Sequence, residues 1–238
     1  MRLDRLLANL SICSRRECAR FLNTGRVTVD GVPARKPDMN VDDSSGICID
    51  GKPLDTRTER NLIMNKPAGV ITADDDPRCA TVMDLLPPVY RTLGCMPVGR
   101  LDKDTTGILL FTTDGQLAHR LISPRCAVPK VYLARVEGEL NGEDVRAFEE
   151  GIRLKDFCCL PARLEIIEND LGQVTVFEGK YHQVKRMFQS RGKTVLKLKR
   201  VSFGPFALPD DLHEGNMREL TEEETARLYA VAYGKETE

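Results

Sequence analysis

Tryptophan is absent from this 238-residue chain, and aromatic residues make up only 5% of it. Any stacking on a ring-shaped ligand therefore falls to tyrosine, phenylalanine, histidine or arginine. The 8 cysteines include no Cys-x-x-Cys pair; Cys158 and Cys159 are adjacent and the others are scattered. That spacing argues against a structural zinc centre. The 3 histidines, His119, His182 and His213, are too far apart in sequence for a familiar metal site. No Gly-x-Gly-x-x-Gly loop is present to cradle a dinucleotide. No apolar run approaches the length that spans a bilayer. The first residues, Met1-Arg2-Leu3-Asp4-Arg5, lack the apolar core of a secretory signal. These absences lead us to expect a cytoplasmic protein with reduced thiols, no membrane contact, no metal and no cofactor.

What is present describes a folded protein. Hydrophobic residues make up 41% and charged residues 30%, which is a globular composition. The length suits one large domain, or one small and one medium domain. The formal net charge of -1 hides an asymmetry. Residues 1–36 hold eight Lys/Arg against three Asp/Glu, and residues 178–200 hold eight against one. Residues 207–238 reverse this, with three against nine. Two basic segments balanced by an acidic tail suit a protein that meets a polyanion on one side.

Leu3, Leu6, Leu7 and Leu10 follow helical spacing and predict a short amphipathic helix. Ser14 with Glu17 forms a capping box for a second helix over residues 15–23. Val27 and Val29, then Ile47 and Ile49, alternate with polar residues and precede Asp30-Gly31 and Asp50-Gly51 turns, so short hairpins follow. Arg15, Arg16 and Arg20 lie at or near one helix face and Arg26 follows in a loop, which suits contacts to phosphates. Residues 1–55 form the expected small domain, and the polar residues 56–61 the linker. A catalytic domain over 62–238 is expected to follow.

In that domain Leu62-Ile63-Met64 reads as a buried strand running into a Lys66-Pro67-Ala68-Gly69 turn, from which Lys66 projects. Thr81 begins a short helical turn ended by Pro87-Pro88. The central stretch is Gly99-Arg100-Leu101-Asp102-Lys103-Asp104-Thr105-Thr106-Gly107, followed by the apolar run Ile108-Leu109-Leu110-Phe111. Four apolar residues in a row fit a strand buried on both faces. A carboxylate between cations, on a loop at the mouth of that strand, suits catalysis. An Arg100–Asp102 surface ion pair is the plainer alternative. Asp114, Asn141 and Thr221 (with Glu224) are placed to cap helices. Residues 160–167 and 173–177 read as a hairpin, and residues 195–203 as a strand with Lys/Arg pointing outward. The intermixed helices and strands, without a βαβ repeat, predict an α+β fold with a mixed, largely antiparallel sheet.

Two stretches carry a family resemblance. Gly-Arg-Leu-Asp-x-x-Thr-x-Gly-Ile-Leu-Leu-x-Thr-x-Asp-Gly, from Gly99 to Gly115, resembles the signature around the catalytic aspartate of the Rsu/Rlu-type pseudouridine synthases. Glu178-Gly179-Lys180-Tyr181-His182-Gln183-Val184-Lys185-Arg186-Met187-Phe188 resembles a later motif of that family, in its small-ribosomal-subunit branch. The Lys66-Pro67-x-Gly69 turn matches the first motif. Residues 1–50 resemble the small αL RNA-binding domain of a ribosomal small-subunit protein.

The resemblance implies isomerisation of a uridine in 16S ribosomal RNA after the base is flipped out. It implies Asp102 as catalytic carboxylate, Lys185 as its ion-pair partner with Arg186 as the alternative, and Tyr132 stacking on the base. The plainer reading of Tyr132 is a core tyrosine on a strand. Burial raises an Asp pKa, so a cation is needed to oppose it; the family more often carries arginine where Lys185 stands, and lysine lacks its bidentate fork. Arg100, Lys66, Arg186 and His182, with Arg15, Arg16, Arg20 and Arg26, are the expected RNA contacts. The expected partner is a partly assembled small subunit, met by a monomer. A synthase for large-subunit RNA, a non-catalytic assembly factor and an Asp-nucleophile hydrolase are the competing readings; the last lacks the acidic metal-binding motif it needs.

Overall fold

The computed structural model describes residues 1–234, so the last four residues of the expected 62–238 domain lie outside the described residues. The chain divides into two compact units: Met1–Arg60 with Leu86–Cys95, and Asn61–Leu85 with the chain from Met96 onward. Leu86–Cys95 thus groups with the first unit, although it lies within the 62–238 span expected for the catalytic domain. Its Val89 packs against that unit's core, and Ser11 Oγ donates a 2.9 Å hydrogen bond to Thr92 Oγ1.

In the first unit α1 (Leu3–Asn9) buries Leu3, Leu6 and Leu7, as their spacing predicts. Ser14 and Glu17 bond reciprocally, with Glu17 N donating to Ser14 Oγ at 3.3 Å and Ser14 N to Glu17 Oε2 at 3.2 Å. They close a turn rather than open the helix, and α2 (Cys18–Asn23) starts later than residue 15. The strands β1 (Val27–Val29), β2 (Val32–Pro33), β3 (Ile47–Ile49) and β4 (Lys52–Pro53) form an antiparallel sheet in the order β2-β1-β3-β4. Both hairpins turn on Asp-Gly: Asp30 and Gly31 sit at φ +52° and +79°, and Asp50 and Gly51 at +52° and +75°. Two successive left-handed residues match the twist of the flanking strands. The α1 leucines, Cys18, Leu22, Val27, Val29 and Ile47 make one core. Full burial of each such leucine contributes about 2 kcal/mol. The Pro87-Pro88 pair does not only end a helical turn; Pro88 opens α3 (Pro88–Thr92), where a missing N–H costs nothing.

The second unit is built on β5 (Asn61–Lys66), β6 (Met96–Pro97), β7 (Thr106–Thr112), β8 (Lys130–Val136), β9 (Arg163–Glu168), β10 (Leu171–Val176), β11 (Val195–Phe203), β12 (Phe206–Ala207) and β13 (Met217–Glu219). They form one sheet in the order β13-β5-β7-β11-β8-β10-β9, with β12 on β11 and β6 on β7. Every pairing is antiparallel except that of β7 with β11. This is the α+β, largely antiparallel architecture expected.

Helices α4 (Gly115–Ile122), α5 (Gly142–Glu150), α6 (Gln183–Ser190) and α7 (Glu222–Tyr233) accompany the sheet. Asp114, Asn141 and Thr221 cap α4, α5 and α7 through side-chain oxygens that accept backbone N–H groups. Ile63, Ile108 and Leu110 pack with Leu117 and Leu121 of α4 and Leu228 of α7. Phe148 of α5 meets Phe188 of α6 with ring centres 4.9 Å apart.

Two local expectations change. The β9–β10 hairpin is tighter than predicted and starts later: Pro161 keeps Leu160 out of the ladder, and Arg135 gathers Asp170 and Glu168 at the turn. Arg200 does not point outward from β11; it is 2% exposed, and its Nε donates to Ile108 O at 2.8 Å. Gly107 lies opposite it in the parallel pair, and a Cβ there would stand 2.1 Å from Arg200 O. Only glycine permits that approach.

Candidate active site

Asp102 sits in the loop between β6 and β7, and the loop is clamped from neighbouring segments. Thr72 Oγ donates to Leu101 O at 2.9 Å and accepts from Leu101 N at 3.1 Å. Gly69 N donates to Lys103 O at 2.8 Å. Lys66 Nζ donates to Thr105 O at 3.0 Å and to Pro67 O at 2.9 Å. Within the loop, Thr105 N closes a turn on Asp102 O at 3.1 Å. The backbone around the carboxylate is therefore fixed on both sides, while the side chain stays 27% exposed.

Two residues at the start of α6 reach that side chain. Lys185 Nζ lies 3.2 Å from Asp102 Oδ2 and 2.5 Å from Asp104 Oδ1. His182 Nε2 lies 3.4 Å from Asp102 Oδ1. Burial pulls the Lys185 ammonium down, but its bonds to Asp104 and Asp102 outweigh that, and the net shift is upward. The hydrogen bond from Lys185 holds Asp104 below the usual carboxylate range. His182 occupies the position before α6 with φ +48°, an uncommon conformation for a residue with a side chain. The start of α6 is held by Glu178, whose Oε1 accepts from Gln183 Nε2 at 2.8 Å and Leu160 N at 2.9 Å.

The neighbouring cations go elsewhere. Arg186 pairs with Asp156 and lies over the Phe157 ring at 4.9 Å, so it does not face Asp102. Successive helix residues point about 100° apart, which separates Lys185 from Arg186. Arg100 is exposed and, among the described residues, forms no ion pair with Asp102. Lys66 does not project from its turn as expected. It is fully buried, and burial lowers its pKa to about 8, against a pull from Asp102 and Asp104 in the other direction. A side chain spent on two carbonyls inside the protein is not an RNA contact. Of the N-terminal arginines, Arg15 reaches Asp4 at 3.3 Å and Arg26 reaches Asp50 at 2.5 Å, while Arg16 and Arg20 are exposed.

Tyr132 is 9% exposed on β8, in register with Arg200 of β11, which in turn opposes Gly107 of β7. It stands two strands from the point where the Asp102 loop joins the sheet, and no hydrogen bond joins it to Asp102. Lys130, two residues earlier, is also buried, and burial with Arg200 nearby lowers its pKa to about 8. Asp104, Thr72 and Asp156 shape the site without having been singled out by sequence. Asp104 lay inside the motif and was readable; nothing in the sequence marked Thr72 or Asp156. A cavity of about 720 Å³ opens elsewhere in this unit, lined by Asn65, Val131, Leu133, Lys199 and His213. Val131 and Leu133 alternate with Tyr132 along β8, so this cavity is on the opposite face of the strand. Among the described residues, no group of three or more His, Cys, Asp or Glu is placed to hold a metal ion, and no helix is long and apolar enough to cross a membrane.

The first unit thus bears exposed arginines, and the sheet of the second presents a carboxylate beside an ammonium. Residues 60–190 match the family described as RNA pseudouridylate synthase, and residues 1–47 match the S4 domain. The chain belongs to the RNA pseudouridylate synthase family. It is 45% identical to an uncharacterized RNA pseudouridine synthase of Bacillus subtilis, over 94% of this chain and 96% of the relative. It is 40% identical to ribosomal small subunit pseudouridine synthase A of Escherichia coli, over 96% of this chain and all (100%) of the relative. The Yersinia pestis protein of the same name is 39% identical over 97% and 99%. A crystal structure of a pseudouridylate synthase superposes with a TM-score of 0.67 at 31% identity, covering 96% of this chain and 99% of that one.

Proposed function

We propose that the protein converts one uridine of 16S ribosomal RNA to pseudouridine, with Asp102 as the catalytic carboxylate. The observation that carries this reading is the Asp102 loop, held by Lys66, Gly69 and Thr72 while its side chain faces Lys185 and His182. The reaction is an isomerisation. The glycosidic C–N bond breaks, the base rotates, a C–C bond forms from C1′ to C5, the C5 proton leaves and N1 takes up a proton. Reactant and product have the same atoms, so no redox partner is consumed. The uridine leaves its stack to reach the loop. Asp102 then acts on ribose or base, as nucleophile or as proton acceptor. Lys185 supplies the counter-charge and keeps the carboxylate oriented. Tyr132 lies against the flipped base, and Arg100 contacts RNA from the same loop.

The relatives named for the small subunit favour 16S RNA over large-subunit RNA. A partly assembled subunit is the proposed substrate, because uridines in the finished particle are covered, and a monomer working in the cytoplasm during ribosome biogenesis fits that role. The test is incubation of the purified protein with 16S RNA, free and partly assembled, and with 23S RNA, followed by chemical mapping of pseudouridine. New pseudouridine at one 16S position is expected. Modification confined to 23S RNA overturns the target, and none in any RNA overturns the activity.

A further inference from the structure

Tyr181 is 74% exposed, directly beside a site whose other groups are engaged. Its ring lies parallel to that of His182, with centres 3.9 Å apart and planes 15° from each other. His182 in turn touches Asp102, at 3.4 Å. One face of the Tyr181 ring is thus backed by a residue of the site, and the other face is open. Its neighbours are committed. Lys180 bonds to Cys158 O at 3.0 Å and lies over the Phe157 ring at 4.4 Å, and Arg186 is held by Asp156. The tyrosine hydroxyl has no hydrogen bond among the described residues.

A lone exposed apolar side chain is ordinary. A ring already stacked beside a carboxylate is different, because little side-chain freedom is left to lose when a second ring lands on it. Unpaired bases of RNA are taken up on such aromatic faces. With tryptophan absent, tyrosine is the largest ring the chain has for this.

We infer that Tyr181, backed by His182, is the stacking platform for the base next to the target uridine. This rests on the reading of the protein as a synthase acting at Asp102. A base on the open face lies two ring thicknesses, measured along the stack, from the ring that touches Asp102. It therefore belongs to a neighbouring nucleotide and not to the one whose glycosidic bond is broken. Flipping the target leaves that neighbour with an unstacked face, and Tyr181 covers it. Tyr181 is on this account a positioning residue, and it favours a single-stranded or opened context at the target.

The test compares Tyr181→Ala, Tyr181→Phe and Tyr181→Trp with the unaltered protein, using a 16S transcript and a short RNA spanning the mapped uridine with 2-aminopurine on one side or the other. Tyr181→Ala is expected to raise KM about tenfold, with kcat at saturating RNA within about twofold. Tyr181→Phe and Tyr181→Trp are expected to restore KM, because stacking needs the ring and not the hydroxyl. Quenching of 2-aminopurine on binding is expected with the unaltered protein and not with Tyr181→Ala. An unchanged KM in Tyr181→Ala overturns the inference, and so does a loss confined to kcat or a failure of Tyr181→Phe to rescue. These outcomes leave the synthase reading standing; absence of pseudouridine in every RNA offered to the unaltered protein overturns that reading and the inference with it.

Discussion

The two units contain cations that are held in opposite ways. In the N-terminal unit, Arg15 and Arg26 keep 58% and 52% of their side chains exposed while pairing with Asp4 and Asp50. In the sheet unit, Lys66, Lys130 and Arg200 are 0%, 6% and 2% exposed, and Lys185 bridges two carboxylates. An exposed cation can exchange a carboxylate for a phosphate at little cost, because water screens both. A buried one cannot leave its partners without exposing them to an unfavourable interior. The first arrangement suits affinity that depends on salt, and the second suits fixed geometry. The largest effects of mutation are therefore expected in the sheet unit and the smallest in the N-terminal one.

Asp102→Asn is the most severe test of that contrast. It keeps the size of the side chain and removes its charge and basicity. Pseudouridine formation should fall by about 10⁴-fold or more, the scale seen when a central catalytic group is removed. RNA affinity, measured by filter binding, should change little. Substantial activity in this variant refutes the assignment. Lys185→Ala should follow with a loss of about 10²-fold in kcat, since removing one member of a partly buried ion pair leaves the other uncompensated. Arg186→Ala should affect kcat far less, because Arg186 faces Asp156 and not Asp102. Equal losses in the two variants would erase the distinction between adjacent helix positions.

The buried lysines give a pH signature that the exposed arginines lack. Lys66 and Lys130 are pushed by burial to about 8 from the usual 10.5. Between those values the unfolded chain holds protons that the folded chain has released, so stability rises as pH increases through that window. Each lysine adds up to about 1.4 kcal/mol per pH unit there. Urea unfolding from pH 8 to 10 should give Lys66→Met a less positive stability slope than the unaltered protein by roughly one lysine's share, because the thiols of Cys13, Cys18 and Cys159, which burial raises and which pull the slope the other way, are common to both. Identical pH slopes in the two proteins would mean that Lys66 is solvated and not buried.

These contrasts also mark what could be read in the sequence. Asp114, Asn141 and Thr221 cap their helices as expected, because capping is chemistry within a few residues. The β7 run from Ile108 to Phe111 announces its burial by composition alone. In the sequence Lys66 and Arg200 look outward-facing, because charged residues usually are. Their burial depends on β5, β7 and β11 coming together, with Gly107 admitting the Arg200 backbone, and that is a long-range fact. Choosing Lys185 over Arg186 required the helix phase relative to Asp102. The membership of Leu86–Cys95 in the first unit depends on Val89 meeting a core built from residues 3 to 47, more than forty residues back in the chain.

The smallest effects belong to the N-terminal arginines, and they are best resolved by salt dependence. Arg16→Ala with Arg20→Ala should weaken RNA binding about tenfold at moderate salt and make the slope of log affinity against log salt shallower by about 2. The Arg26–Asp50 pair makes a finer point. Both side chains are about half exposed, at 52% and 50%, so water screens the pair and it adds little to folding. Arg26 must trade Asp50 for phosphate if it meets RNA, and the carboxylate left behind repels the same phosphate. Asp50→Asn removes both penalties while leaving Arg26 in place. RNA affinity should therefore rise about twofold, with the unfolding midpoint nearly unchanged. Fluorescence anisotropy across a salt series decides this: a gain that fades as salt increases is the expected result, and unchanged affinity at low salt would remove Arg26 from the RNA-facing set.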